Sequence, residues 1–199
     1  MLRVLGLAGS PRRRGNTEAL LDAALEAAQQ AGAATEKIVL NNLHARSCQH
    51  CDGCLYTGVC IIDDDIQPFH RKLMEADRIV LASPIFFMSV TAQAKLAIDR
   101  CQALWVAKYL LKQRHPLSAD GSRRCGLWIA VAGMDRPLPY LFDGARRVVR
   151  AFFAACDVEY GEELLYPAMD EYREVHHHPT ALREARDAGS RLATGQSQP

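Results

Sequence analysis

Four cysteines crowd one short stretch of this chain and could hold a metal centre. Their spacing, Cys-x2-Cys-x2-Cys-x5-Cys, is similar to that of the thiolate ligands of ferredoxin clusters, whereas zinc sites usually draw two ligand pairs a dozen or more residues apart. Gly53 and Gly58 would let the backbone wrap tightly. The pattern favours a 4Fe-4S cluster, with a zinc ion or unligated thiols of structural or redox function as alternatives. The candidate ligands are Cys48, Cys51, Cys54 and Cys60.

The polar turn from Gly9 to Thr17 is a second candidate site, because it joins an apolar run to a helical pattern. Free backbone amides and the helix dipole favour an anion at such a helix start. Ser10, Asn16 and Thr17 add side-chain donors, and the arginines add charge. Neither G-x-G-x-x-G nor G-x-x-x-x-G-K-[ST] is present, so a single phosphate is the simplest ligand, which points to FMN rather than FAD, NAD or ATP. The alternative is an exposed turn before a helix that Asn16 or Thr17 caps.

The loop from Ala82 to Thr91 is apolar and aromatic. A flat ring system could lie against it at the edge of a sheet, with backbone amides facing the ring. Taken alone, Phe86 and Phe87 would more often be core residues than the wall of a cofactor site. Together with a candidate phosphate-binding turn at Gly9 to Thr17, on a nearby strand, they more often form the wall of a cofactor site.

Apolar runs alternate with helical patterns along the chain, which predicts a parallel sheet with helices on both faces. Ligands of such sheets bind beyond the carboxyl ends of the strands, where the three segments above fall. The predicted strands are Val4 to Gly9, Lys37 to Leu40, Ile79 to an end at Ser83-Pro84, Leu127 to Val131 and Val158 to Leu165. The predicted helices are Glu18 to Ala31, Asp65 to Glu75, Thr91 to Leu104, Leu141 to Ala155 and Ala181 to Leu192.

The chain resembles the NADPH-dependent FMN reductases, a group of flavodoxin-like proteins. The resemblance covers roughly residues 2 to 135, and the segments that show it are GSPRRRGNT, SPIFFMSVTAQAKLAIDR and the cysteines between them. The segment CQHCDGCLYTGVCIIDDD is similar to the compact motif of the iron-sulfur flavoproteins, a subgroup of that family. The resemblance implies a three-layer α/β sandwich whose five-stranded parallel sheet has the order 2-1-3-4-5.

The resemblance also implies roles for individual residues. The FMN phosphate would be held by Ser10, Arg12, Asn16 and Thr17. The isoalloxazine would be contacted, largely through backbone, by Pro84, Ile85, Phe86, Phe87 and Ser89, and the site would be completed by Ala132 and Gly133. Phe86 stands where the family commonly has tyrosine, so a phenolic contact is lost.

The activity implied by the resemblance is that of an FMN-dependent oxidoreductase or electron-transfer flavoprotein. Reducing equivalents would come from NAD(P)H or a ferredoxin and pass to a small-molecule acceptor, in a homodimer or homotetramer. No catalytic acid or base stands out, which is consistent with chemistry that belongs to the cofactor. The alternatives are a cluster-free NADPH-dependent FMN or quinone reductase, and a zinc-stabilised interaction module on the same fold.

Length and composition fit one α/β domain. We expect this domain to span residues 1–193, with a cysteine-bearing insertion at about 44–62, and to be followed by a flexible tail at 194–199. A net charge of +1 with scattered arginines argues against nucleic acid as a partner. No segment approaches the ~20 apolar residues of a membrane helix. The first arginine cluster follows the apolar run, the reverse of a secretory signal, so we expect a cytoplasmic protein with reduced cysteines.

Overall fold

The computed structural model describes residues 1–115, 117–134 and 138–195. Its centre is a five-stranded parallel sheet with the strand order β2-β1-β3-β4-β5, which confirms the predicted flavodoxin-like topology. The strands are β1 (Arg3–Ala8), β2 (Ala34–Val39), β3 (Arg78–Pro84), β4 (Cys125–Val131) and β5 (Glu159–Tyr166).

Helices cover both faces of the sheet. They are α1 (Asn16–Gln30), α2 (Ile66–Glu75), α3 (Ala92–Arg100), α4 (Gln102–Trp105), α5 (Asp143–Ala155), α6 (Met169–Tyr172) and α7 (Ala181–Thr194). Successive strand side chains point to opposite faces, so Leu5 and Leu7 join one core while Val4 and Ala8 join the other. Burial on both faces explains why the strands lack polar alternation.

The predicted helix over Thr91 to Leu104 is wrong in one respect, because it breaks at Cys101. The Cys101 amide donates to the Ile98 carbonyl at 3.0 Å, an i−3 bond that tightens the turn. The chain then continues through α4 into a π-helical turn, Val106–Leu110. The apolar pattern runs on through this break, so periodicity alone could not reveal it.

Other boundaries differ by a few residues. β2 begins at Ala34, which pairs with Arg3 of β1, and Leu40 already belongs to a 3-10 turn. The expected side-chain cap of α1 is wrong, because Gly15 is the N-cap residue and no side chain caps the helix. Of the expected tail at 194–199, Thr194 is the last residue of α7 and residues 196–199 lie outside the described part of the chain.

Strand register determines which loops meet. Ala8 pairs with Ala82, and Pro84 pairs with Val131, so the loops after β1, β3 and β4 are neighbours at the carboxyl edge of the sheet. This edge is where ligands of open α/β sheets bind. In the described ranges, none of the helices combines the length and apolarity needed to cross a bilayer.

Candidate functional site

The loop between β1 and α1 offers unused backbone donors. The amides of Asn16, Thr17 and Glu18 open α1 and have no acceptor within the described residues. Ser10 is buried, and its hydroxyl oxygen accepts the Arg12 amide at 3.1 Å, which closes the loop. An anion at this helix start would satisfy the open donors and meet the positive end of the helix dipole.

Glu18 binds two of the three arginines of this loop, Arg13 and Arg14, and also Lys37 of β2. Its buried carboxylate accepts the Arg13 guanidinium at 3.0 Å, the Arg14 amide at 2.5 Å and the Lys37 ammonium at 3.0 Å. Burial alone would raise the pKa of Glu18, but these three hydrogen bonds lower it to about 2. The Arg13 guanidinium is therefore already paired with Glu18. Arg12 is exposed and has no ion-pair partner in the described ranges, so it is available to an incoming anion.

Asn16 connects the loop between β1 and α1, called the phosphate loop below, to the segment around Arg173 and Val175, which was not among the predicted site residues. Its side-chain amide donates to the Arg173 carbonyl at 3.2 Å, and its side-chain oxygen accepts the Val175 amide at 2.9 Å. The side chain thus holds the loop after α6, while the backbone amide of Asn16 stays open. Thr17 is buried in the first turn of α1.

The aromatic loop after β3 contains a tight turn. Phe86 and Ser89 exchange two backbone hydrogen bonds, at 2.9 and 3.0 Å, around Phe87 and Met88, which both have positive φ angles of 47° and 61°. The Phe87 side chain is fully exposed. Such angles in two consecutive non-glycine residues are sparsely populated and occur where surrounding structure enforces them.

Buried hydroxyls tie this loop to the phosphate loop. Thr91 caps α3 by accepting the Ala94 amide at 3.2 Å, and its hydroxyl donates to the carbonyl oxygen of Gly9. The Ser83 hydroxyl accepts the Thr91 amide at 3.2 Å. Thr91 was predicted only as the first residue of the helix Thr91 to Leu104, although a threonine directly before a helical pattern is the usual signal for a cap.

The loop after β4 lies beside the segment that follows β5. The Ala132 carbonyl accepts the Met169 amide at 2.9 Å, and a side chain at Gly133 would overlap the Asp170 carboxylate. Ile85 is attached to the same edge, since its amide donates to the Val131 carbonyl at 2.8 Å. The structure thus gathers the predicted flavin residues of three loops at one edge.

The four clustered cysteines lie together on the irregular segment between β2 and α2. They line one small cavity with Arg100 and Ile61. Gly58 has a φ of 72° and lies so close to Ala107 that an added Cβ would approach its methyl to 2.7 Å, as expected for a tightly wrapped loop. Burial raises the pKa of the Cys54 thiol, and the neighbouring Cys60 raises it further.

The arrangement of these thiols differs from that of a single-ion site. Within the described residues, no three His, Cys, Asp or Glu side chains converge as one bound metal ion would require. A cubane cluster places each thiolate on a different iron, so its ligands surround a larger volume.

Comparison with known proteins identifies relatives of the chain. The family model described as NADPH-dependent FMN reductase matches residues 2–133. An iron-sulfur flavoprotein of Methanosarcina thermophila is 34% identical over 127 residues, which are 63% of this chain and 66% of that protein. An iron-sulfur flavoprotein of Methanocaldococcus jannaschii is 38% identical over 125 residues, which are 63% of this chain and 65% of that protein. The matched segments therefore span slightly less than two thirds of these relatives.

A solved structure of similar shape is the NAD(P)H:quinone oxidoreductase from Methanothermobacter marburgensis. Its TM-score is 0.69 at 18% identity, and the match covers 96% of this chain and 98% of that chain. At this identity the likeness shows the fold alone.

Proposed function

The chain belongs to the NADPH-dependent FMN reductase family, and we propose that it is an FMN-dependent NAD(P)H oxidoreductase whose clustered cysteines hold a 4Fe-4S cluster. The observation that supports FMN most strongly is the set of open amides at Asn16, Thr17 and Glu18, beside Arg12, for which the described part of the chain provides no ion-pair partner. One phosphate group would satisfy them. When bound, FMN supplies hydride and single-electron chemistry and a cluster supplies single-electron transfer.

The protein's own contribution is binding and orientation. The amides of Asn16 to Glu18, the Ser10 hydroxyl and Arg12 bind the phosphate. The turn around Phe87 and Met88 presents backbone to the ring: its two central amides donate to no acceptor in the part of the chain that the structure describes. No side-chain acid or base is assigned to catalysis, because bound FMN would supply the redox chemistry and the protein residues would bind and orient it.

The open side of the aromatic loop would receive the reactants. Phe87 is fully exposed and Phe86 is nearly half exposed, so a flat nicotinamide or a flat acceptor can approach over this loop. We propose NAD(P)H as the donor, with a ferredoxin as the alternative, and a small molecule such as a quinone as the acceptor. The description of the matching family, NADPH-dependent FMN reductase, supports NADPH as the donor.

The cluster proposal rests on the shared cavity of Cys48, Cys51, Cys54 and Cys60 and on the names of the archaeal relatives. All seven cysteines are free, which fits the reducing cytoplasm that we propose as the location. A homodimer or homotetramer is proposed because large apolar side chains are exposed near the two sites. They include Tyr56, Val59, Phe87, Trp105, Tyr109 and Leu110.

The experiment that tests this function is an anaerobic visible spectrum of the purified protein before and after NADPH is added, with iron and acid-labile sulfide measured on the same sample. We expect flavin absorbance that bleaches with NADPH, and close to four irons and four sulfides per chain, as the cluster type requires. Flavin without iron would instead identify the cluster-free FMN or quinone reductase. Colourless protein that contains zinc would refute the oxidoreductase proposal and identify the interaction module.

A further inference from the structure

A buried arginine contacts one of the four clustered thiols. The Arg100 guanidinium lies under the cysteine segment with its side chain 1% exposed. One terminal nitrogen donates to Cys60 Sγ at 3.2 Å and to Asp64 Oδ1 at 3.0 Å. The other donates to Asp64 Oδ2 at 2.6 Å and to the Arg46 carbonyl at 2.7 Å.

We propose that Arg100 is a positioning residue that fixes Cys60 and raises the reduction potential of the centre bound there. The inference rests on the proposed cluster. No other cysteine of the motif has a comparable partner, since the sulfurs of Cys48, Cys51 and Cys54 accept no side-chain hydrogen bond in the described ranges. Cys60 is therefore distinct among the four candidate ligands.

The guanidinium is held rigidly, which distinguishes it from a mobile surface charge. Asp64 binds it in the bidentate geometry typical of strong arginine–carboxylate pairs. Asp64 is itself fixed, because its Oδ1 accepts the Ile66 amide at 3.1 Å at the start of α2. The Cys60 backbone is held too, since Gln67 Nε2 donates to its carbonyl at 3.0 Å. Cys60 is thus restrained at both its sulfur and its main chain.

The chemistry of an N–H···S contact explains the proposed effect. A hydrogen bond to a ligating thiolate removes electron density from sulfur, and the nearby positive charge favours the reduced, more negative state of a cluster. Hydrogen bonds to sulfur and local charge are among the factors that set cluster potentials. Removing the guanidinium should therefore make the centre harder to reduce.

Arg100 also links the two candidate sites through one helix. It ends α3, and Thr91, which donates to the Gly9 carbonyl of the phosphate loop, caps the other end. Nine helical residues span about 13 Å. The helix that starts at the flavin loops therefore fixes the position of the cysteine segment, and the test must separate a structural effect from an electronic one.

The test compares Arg100→Gln and Arg100→Lys holoprotein with a matched control, Arg124→Gln. Arg124 is also buried, but it donates to the carbonyls of Leu73, Ala76 and Cys156 and contacts none of the four motif thiols. The measurements are an anaerobic redox titration followed by visible and electron paramagnetic resonance spectra, iron per chain, and the thermal unfolding temperature.

We expect Arg100→Gln to shift the cluster potential in the negative direction and to weaken cluster retention roughly tenfold, within the range typical of changes to a group that hydrogen-bonds to a metal ligand. Arg100→Lys, which keeps the charge but loses the bidentate geometry, should show a smaller shift. Arg124→Gln should lower the unfolding temperature and leave the potential unchanged.

A wild-type potential in both Arg100 variants, with iron retained, would overturn the inference alone. Should Arg100→Gln not fold, the comparison of Arg100→Lys with Arg124→Gln decides, and equal potentials in those two proteins would also overturn it. Wild-type protein that lacks iron would overturn the proposed cluster as well, so the two failures are distinguishable.

Discussion

Replacing Thr91 by valine should remove the hydrogen bond that holds the loop after β3 to the loop after β1. The hydroxyl of Thr91 has two functions, since it donates to the Gly9 carbonyl and accepts the Ala94 amide. Valine has nearly the same volume, so the change removes these bonds without leaving a cavity.

The expected loss follows from the two bonds. Losing a helix cap costs about 1 kcal/mol, and leaving the buried Gly9 carbonyl without its donor costs roughly 1 to 3 kcal/mol. We therefore expect Thr91→Val to lower the free energy of unfolding by about 2 to 4 kcal/mol. If about 1.4 kcal/mol of that loss reflects a less ordered phosphate loop, FMN should bind about tenfold more weakly.

The assay is urea unfolding of the apoprotein together with FMN titration by flavin fluorescence. Thr91→Ser is the matched control, because it keeps the hydroxyl and loses one methyl group, worth about 1 kcal/mol. If the valine variant is as stable as the serine variant within about 0.5 kcal/mol and binds FMN equally well, the Thr91 bonds do not hold the two loops together.

Three further predictions concern the turn, the phosphate loop and the cysteines. Gly144→Ala should destabilise the turn by roughly 1 to 3 kcal/mol, because the new methyl group would overlap the Met88 carbonyl oxygen, and the displaced turn should weaken FMN binding; unchanged FMN affinity would show that the turn is not part of the site. The pKa of Glu18 lies at about 2, below its usual 4.5, so the ionised carboxylate stabilises the folded state by an amount on the order of 3 kcal/mol. This stabilisation is present above pH 4.5 and is lost as the pH falls towards 2. The free energy of unfolding, measured in urea between about pH 2 and 6, should therefore depend less on pH in Glu18→Gln. Cys54→Ser should abolish iron binding while Cys125→Ser retains it, as iron analysis would show; equal iron in both would contradict the ligand assignment.

Much of the architecture was predictable because burial on both sheet faces leaves a simple signal. The runs around Val4, Ile79 and Leu127 are apolar throughout, and the polar turn after Gly9 marks the first carboxyl end. The strand order was predicted from the resemblance to a family. The pairing of Ala8 with Ala82 confirms that β1 and β3 are adjacent, as that order requires.

The contacts that complete the site were not predictable, because they join residues far apart in sequence. Asn16 bonds to a segment more than 150 residues away, and that segment has no periodic pattern to place it. Arg100 reaches Cys60 across 40 residues. The break at Cys101 was hidden because buried apolar residues recur at helical spacing before it, at Ala94 and Ala97, and after it, at Ala103 and Leu104, so the pattern is the same for one helix or two.

The measurement closest to the central claim is a paired fluorescence titration of the apoprotein with FMN and with riboflavin, which lacks the phosphate. If the open amides and Arg12 bind the phosphate as proposed, FMN should bind at least about a hundredfold more tightly than riboflavin, as expected for two or more charge-assisted hydrogen bonds. Arg12→Gln should reduce this preference, while Arg183→Gln, on the exposed surface of α7, should leave it unchanged. Equal affinity for the two flavins would contradict the phosphate cradle.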